Sequence, residues 1–167
     1  MVGALNPSPT GYYEGNQARV NPQVILRYLN RLSGPLLDRF DMSLEIPSLP
    51  KGTLAQGGDR GETTQVVKLR VEQARGAMVE RAGKVNALLG SQEIERYCRL
   101  EKSDAEFLEN ALHRLGLSIR AYHRIIKVAR TIADLEGQSS IARAHIAEAL
   151  GYRAMDRLLK QLTAQAV

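Results

Sequence analysis

Two arginines stand where a guanidinium could meet a phosphate. Arg39 lies in Leu36-Leu37-Asp38-Arg39-Phe40-Asp41, a short turn just before an apolar–polar alternation. Apolar anchors on both sides would pin the turn and aim one guanidinium outward, which suits phosphate recognition. The same residues also fit a surface arginine paired with Asp38 or Asp41. Arg120 is the third residue of a helix opening at Ser118, where its charge opposes the helix dipole. With Arg124 and Lys127 it falls within about 60° on a wheel of ~100° per residue, opposite the apolar face. The plain alternative there is a solvated helix face.

No complete catalytic set accompanies them. The chain has no G-x-x-x-x-G-K-[ST] and no G-x-G-x-x-G. No apolar run ends in two acidic residues, so a Walker B strand is missing as well. His113, His123 and His145 each lie on a helical pattern with no ligand partner at i+4, and are expected at the surface or its edge. No metal site is expected. Cys98 sits beside Tyr97 on an apolar stripe and reads as a core thiol rather than a nucleophile.

The elements that must position these residues divide the chain in two. All six prolines, and most of the glycines, fall within residues 1–63. That region reads as short elements: a strand at Met1–Leu5, a loop over Asn6–Asn21 and a helix capped by Asn21 with Pro22 first, running to about Leu32. A turn follows from Pro35, then a strand at Met42–Ile46 and a polar, Gly-rich linker. From Thr63 onward helical periodicity takes over. Helices are expected at Thr64–Ala82, Gln92–Arg99, from Ser103 (with Glu106 completing a capping box) to Gly116, Ser118–Gly137, from near Ser140, and from Ala154. Five amphipathic helices with short loops imply an α-bundle.

Composition agrees with a helical, non-secreted chain. Its 167 residues include no Trp and one cysteine, which excludes a disulfide framework and favours a cytoplasmic location. No apolar run approaches the length of a membrane span. Residues 1–67 carry six Lys+Arg and six Asp+Glu, so the whole net charge of +5 lies in residues 68–167. A basic surplus of this size is compatible with phosphate-bearing partners.

Several segments together carry a family likeness. Asn6-Pro7-Ser8-Pro9-Thr10-Gly11-Tyr12-Tyr13 and Leu29-Asn30-Arg31-Leu32-Ser33-Gly34-Pro35-Leu36-Leu37-Asp38-Arg39-Phe40-Asp41 resemble the ComM/YifB family of magnesium-chelatase-like AAA+ ATPases. The likeness continues in Leu117–Tyr122 and Val128–Leu135 and ends with Glu148-Ala149-Leu150-Gly151-Tyr152-Arg153. It covers essentially the whole chain, which would then be the C-terminal part of a longer protein, with Walker A and Walker B upstream of Met1.

The resemblance implies a mainly α fold: a helical lid over 64–167, a linker over 47–63, and before them a remnant of an α/β AAA+ core over 1–46, poorly ordered in isolation. It matches Asn6 to sensor 1, which orients the attacking water near the γ-phosphate. It matches Arg39 to the arginine finger, reaching ATP bound by a neighbouring subunit. It matches Arg120 to sensor 2, which touches the nucleotide from the lid. ATP and Mg²⁺ would belong to the parent protein and not to this fragment alone. The parent would be a homo-oligomeric ring driving DNA branch migration or helicase action; the fragment would be monomeric. Alternatives are a chelatase-type motor acting on a protein–tetrapyrrole complex, or a basic helical interaction domain. Where many relatives carry cysteines, Ser8, Thr10 and Val20 stand here, so no zinc site is expected.

Overall fold

The computed structural model describes residues 2–11, 21–32, 34–37, 39–47 and 61–165. The expected linker and the loop between Gly11 and Asn21 fall largely outside these. The described chain is mainly helical: α1 (Pro22–Leu29), α2 (Gly34–Leu37), α3 (Thr64–Ala82), α4 (Ser91–Tyr97), α5 (Lys102–Leu115), α6 (Ile119–Leu135), α7 (Arg143–Gly151) and α8 (Ala154–Gln165). A single 3₁₀ turn, Asn86–Leu88, follows α3.

The chain forms two compact units: Met1–Ser43 together with Arg153–Val167, and Leu44–Tyr152. The amphipathic tail that the sequence pattern attaches to the bundle therefore lies with the N-terminal region.

In the Leu44–Tyr152 unit, α6 is the central helix, packing against α3, α4, α5, α7 and the 3₁₀ turn. Its buried side chains include Ile125, Ile126, Ala129 and Ala133. Fully burying one such isoleucine stabilises by about 1.5–3 kcal/mol. Leu108 and Leu112 of α5, Ile94 of α4 and Ile146 and Ala149 of α7 complete the core. Cys98 is buried in that core, and burial pushes its thiol up to about 11, against the pull of Arg130 and Arg81.

Local signals explain the helix ends. The Ser118 hydroxyl accepts the Ala121 N–H at 3.3 Å, and Thr63 Oγ1 accepts that of Val66 at 3.4 Å. Gly116 ends α5 at φ 68°, a left-handed conformation that a Cβ would strain. Helix α5 differs from expectation at its start. Its N-cap is Glu101 with no side-chain hydrogen bond, and Ser103 already lies in the first turn. Helix α3 is buried over only part of its length. Ala74 and Met78 are buried, but Val67 and Val71 are 37% and 42% exposed because the N-terminal half runs past the packing surface.

In the other unit, α1 packs on α8. The shared core is Ile25 and Leu29 against Leu158 and Leu162. Asn21 Oδ1 accepts the Gln23 N–H at 2.8 Å, and Pro22 follows as the first helical residue. Neither expected strand forms among the described residues. Residues 2–6 are irregular, with Val2 fully exposed, and around Met42–Ile46 the described pairing is one parallel bridge, Ser43 to Arg153. A strand needs a neighbour to satisfy its N–H and C=O groups. Without one, Leu44 and Ile46 lie 60% and 84% exposed instead of facing a core.

Candidate functional site

The three residues singled out by sequence are all solvent-exposed. Asn6 ends the irregular stretch that runs from Val2. A Cβ built on Gly3 of that stretch would lie 3.8 Å from the Phe40 ring, so it passes beside the turn that carries Arg39. That turn is closed by backbone bonds: Arg39 N–H donates to Leu36 O at 3.0 Å and Phe40 N–H to Leu37 O at 3.1 Å. Asn6 and Arg39 share one compact unit; Arg120, second residue of α6, belongs to the other. On the same face of α6, Arg124 and Lys127 are half-buried, and Lys127 Nζ donates to the Ala87 carbonyl at 3.1 Å.

A groove of about 510 Å³ lies between the end of α5 and the start of α6; Arg120 does not line it. Leu112, Leu117, Ile119 and Tyr122 supply apolar walls, with Glu109, His113 and Ser118 among the polar groups. No glycine-rich loop opens a helix among the described residues, and the starts of α1, α3 and α6 are capped by their own Asn21, Thr63 and Ser118. These residues therefore fit a nucleotide only in a supporting way: two exposed guanidiniums and one exposed amide, able to approach phosphates held by other residues.

Sequence reasoning missed the most elaborate polar cluster, which is internal to the bundle. Arg81 of α3 donates to both Asp134 oxygens, at 2.6 and 2.7 Å, and to Asn86 Oδ1 at 2.9 Å. Asn86 Nδ2 donates to Asp134 Oδ2 at 2.8 Å and to Thr131 Oγ1 at 3.1 Å. Arg130, 1% exposed, reaches Asp134 Oδ1 at 3.0 Å and donates to the carbonyls of Gln138 and Ser139. The Asp134 carboxylate thus ties α3 and the 3₁₀ turn to α6, and Arg130 ties α6 to the loop after it. Burial alone would raise the Asp134 carboxyl; the Arg81 and Asn86 hydrogen bonds and the Arg130 charge outweigh it and hold it below its ordinary value. A sequence signal existed. Arg130 falls four residues after Ile126 and three before Ala133, inside the apolar face of α6, where a charge is buried only if paired.

The histidines divide. His113 is exposed, and His123 is half-buried beside Tyr122, their ring centroids 5.7 Å apart. His145 corrects the expectation of a surface or edge residue, being 4% exposed. Its Nδ1 accepts the Ala142 N–H at 2.9 Å, capping α7, and its Nε2 lies 3.0 Å from Glu136 Oε2. Among the described residues, no group of three or more His, Cys, Asp or Glu could hold a metal.

One unit is thus a bundle around a central helix, and the other presents an exposed arginine on a turn closed by backbone hydrogen bonds. The family described as "Magnesium chelatase, subunit ChlI C-terminal" matches residues 61–153, and "Magnesium chelatase, subunit ChlI" matches residues 1–54. The chain belongs to the ComM/YifB family of magnesium-chelatase-like AAA+ proteins. It is similar to Competence protein ComM of Haemophilus influenzae, with 61% identity over 163 residues, 98% of this chain and 32% of that protein. It is 55% identical to the uncharacterised protein YifB of Escherichia coli over 162 residues, 97% of this chain and 32% of YifB. An uncharacterised protein of Mycobacterium tuberculosis is 34% identical over 157 residues, 92% of this chain and 31% of that protein. The chain spans about a third of the length of the curated relatives it matches. Among the described residues, no helix is long and apolar enough to cross a membrane.

Proposed function

We propose that this chain is the C-terminal part of an AAA+ ATPase whose parent is a ring-forming, ATP-driven DNA motor acting in branch migration or strand separation during DNA uptake and recombination. The observation that carries the reading is the 61% identity to a competence protein across 98% of the chain. In this reading residues 1–46 are the end of the ATPase core, 47–63 a linker and 64–167 the lid.

The residues contribute as follows. Asn6 orients the attacking water by its side-chain amide. Arg39, from a neighbouring subunit, stabilises charge that develops on the transferred phosphoryl group. Arg120 contacts the nucleotide from the lid and couples lid position to nucleotide state. Bound ATP with Mg²⁺ supplies the phosphoryl group and the neutralising charge. Support comes from the exposure of all three residues and the backbone-closed turn under Arg39.

The parent's ATPase response to DNA tests the reading. Hydrolysis by the full-length protein should rise with branched or single-stranded DNA, and DNA binding should fall steeply with salt. Hydrolysis indifferent to both DNAs would count against it. Arg39→Ala should abolish hydrolysis more than nucleotide binding, and mixing it with a Walker-B-dead subunit should restore some activity if the finger acts in trans. The 167-residue chain alone should not turn over ATP.

The family description favours one second reading, a chelatase-type motor inserting Mg²⁺ into a tetrapyrrole. ATP-dependent metal insertion by the parent with a porphyrin-handling partner, and no DNA response, would select it.

A further inference from the structure

We propose that Arg153 is a positioning residue for Arg39, clamping the turn that presents the finger guanidinium; the inference rests on the finger reading above. Arg153 is 4% exposed. Its Nη1 donates to the carbonyl of Phe40, the residue after Arg39, at 3.2 Å. Asp156 grips the same guanidinium from the other side, with Oδ2 2.7 Å from Nε and Oδ1 3.1 Å from Nη2. The Nη2–Oδ1 contact is a hydrogen bond and the Nε–Oδ2 contact an ion pair without hydrogen-bond geometry; together with the Nη1 bond to Phe40 they hold the guanidinium between Asp156 and the Phe40 carbonyl.

The backbone reinforces the clamp. Ser43 and Arg153 form a parallel bridge. Ala154 N–H donates to Ser43 O at 3.2 Å, and Met155 N–H to Ser43 Oγ at 3.0 Å. The first N–H groups of a helix have no partner within it. Here two of those of α8 are met by a residue far upstream in sequence. Arg39 is therefore bounded before by the Leu36 and Leu37 carbonyls and after by contacts at Phe40 and Ser43. A buried ion pair adds little net stability over apolar packing; what this one supplies is the geometry of the Phe40–Ser43 segment.

The test uses the full-length protein, read by ATP turnover and by hydrogen exchange over residues 36–46 and 154–165. R153A should lower kcat about 10- to 100-fold, the scale of a small misplacement of a charge-stabilising group, with KM for ATP changed less than about 2-fold. Exchange over 36–43 and 154–157 should accelerate while that of α6 stays the same. A rise in KM for ATP as large as the loss of kcat would overturn the proposal. So would unchanged exchange over 36–43. D156N and S43A, which keep side-chain volume nearly constant, should reproduce the pattern with smaller losses if R153A fails to fold; wild-type turnover and exchange in both would overturn it. If R39A leaves turnover unchanged, the finger reading fails by itself. Faster exchange over 36–43 in R153A would then still support the clamp, and its absence would sink that too.

Discussion

Inside the bundle Arg81 grips Asp134 with two hydrogen bonds of 2.6 and 2.7 Å; on the outer half of α3, Arg70 grips Glu62 with two of 2.9 Å. The chemistry is the same, but the surroundings are not. The Asp134 side chain is 2% exposed and that of Glu62 53%. Water screens the outer pair and competes for its hydrogen bonds, so its loss is nearly free. The inner pair is far less accessible to water: removing Asp134 leaves the fully buried Arg130 charge without its carboxylate, next to the partly exposed Arg81. The unit of α1 and α8 lies between these extremes, with four buried apolar side chains and one buried arginine clamp.

That ordering can be tested by mutation. Asp134→Ala should cost about 3–5 kcal/mol, seen as a lower urea midpoint of the bundle. The carboxylate also sets a pH dependence. Its folded value lies below the unfolded one, so its contribution is complete above about pH 4 and is lost as pH falls through the lowered value. Urea midpoints of the wild type should fall over that acid range more steeply than those of Asp134→Asn.

Leu158→Ala removes a side chain from the α1–α8 core and should cost about 2–3 kcal/mol. Amides of α1 should then exchange faster while those of α6 keep their protection. In the isolated chain, residues 1–46 should exchange faster than the bundle at the outset; slow exchange throughout 1–46 would contradict their assignment as a core remnant. His145→Ala should cost about 1 kcal/mol through loss of the α7 cap, read by thermal unfolding. Arg70→Ala should leave the melting temperature unchanged; a clear drop would mean that the outer half of α3 is covered in solution.

Much of the bundle was legible in sequence because helix ends are written locally. Ser118 and Gly116 open and close bundle helices where expected, and Asn21-Pro22 does the same for α1 in the other unit; Thr63 also caps its helix through its own backbone neighbours. Strands were not legible, since a strand is a relation between two segments. Met42-Ser43-Leu44-Glu45-Ile46 has the alternation, but with no strand beside it the pattern yields one bridge. The polar network was half legible: Arg130 and Asp134 stand four apart on one face, whereas Arg81 and Asn86 lie about fifty residues upstream with nothing local to mark them. The expected roles of Asn6, Arg39 and Arg120 came from family resemblance, because an exposed arginine in a turn or a first helical turn has an ordinary solvated alternative.

The sequence by itself determined that the chain is mainly helical, that Cys98 is a core thiol, and which face of α6 is buried, because periodicity and capping act over a few residues. Only the tertiary structure decided that α8 pairs with α1 and that Arg153 binds the Phe40 carbonyl. It alone also put the charges of Arg81, Arg130 and Asp134 into one buried cluster. The Arg81–Asp134 and Arg153–Phe40 contacts join residues 53 and 113 positions apart in the sequence, and no local preference encodes which distant partner satisfies a buried charge.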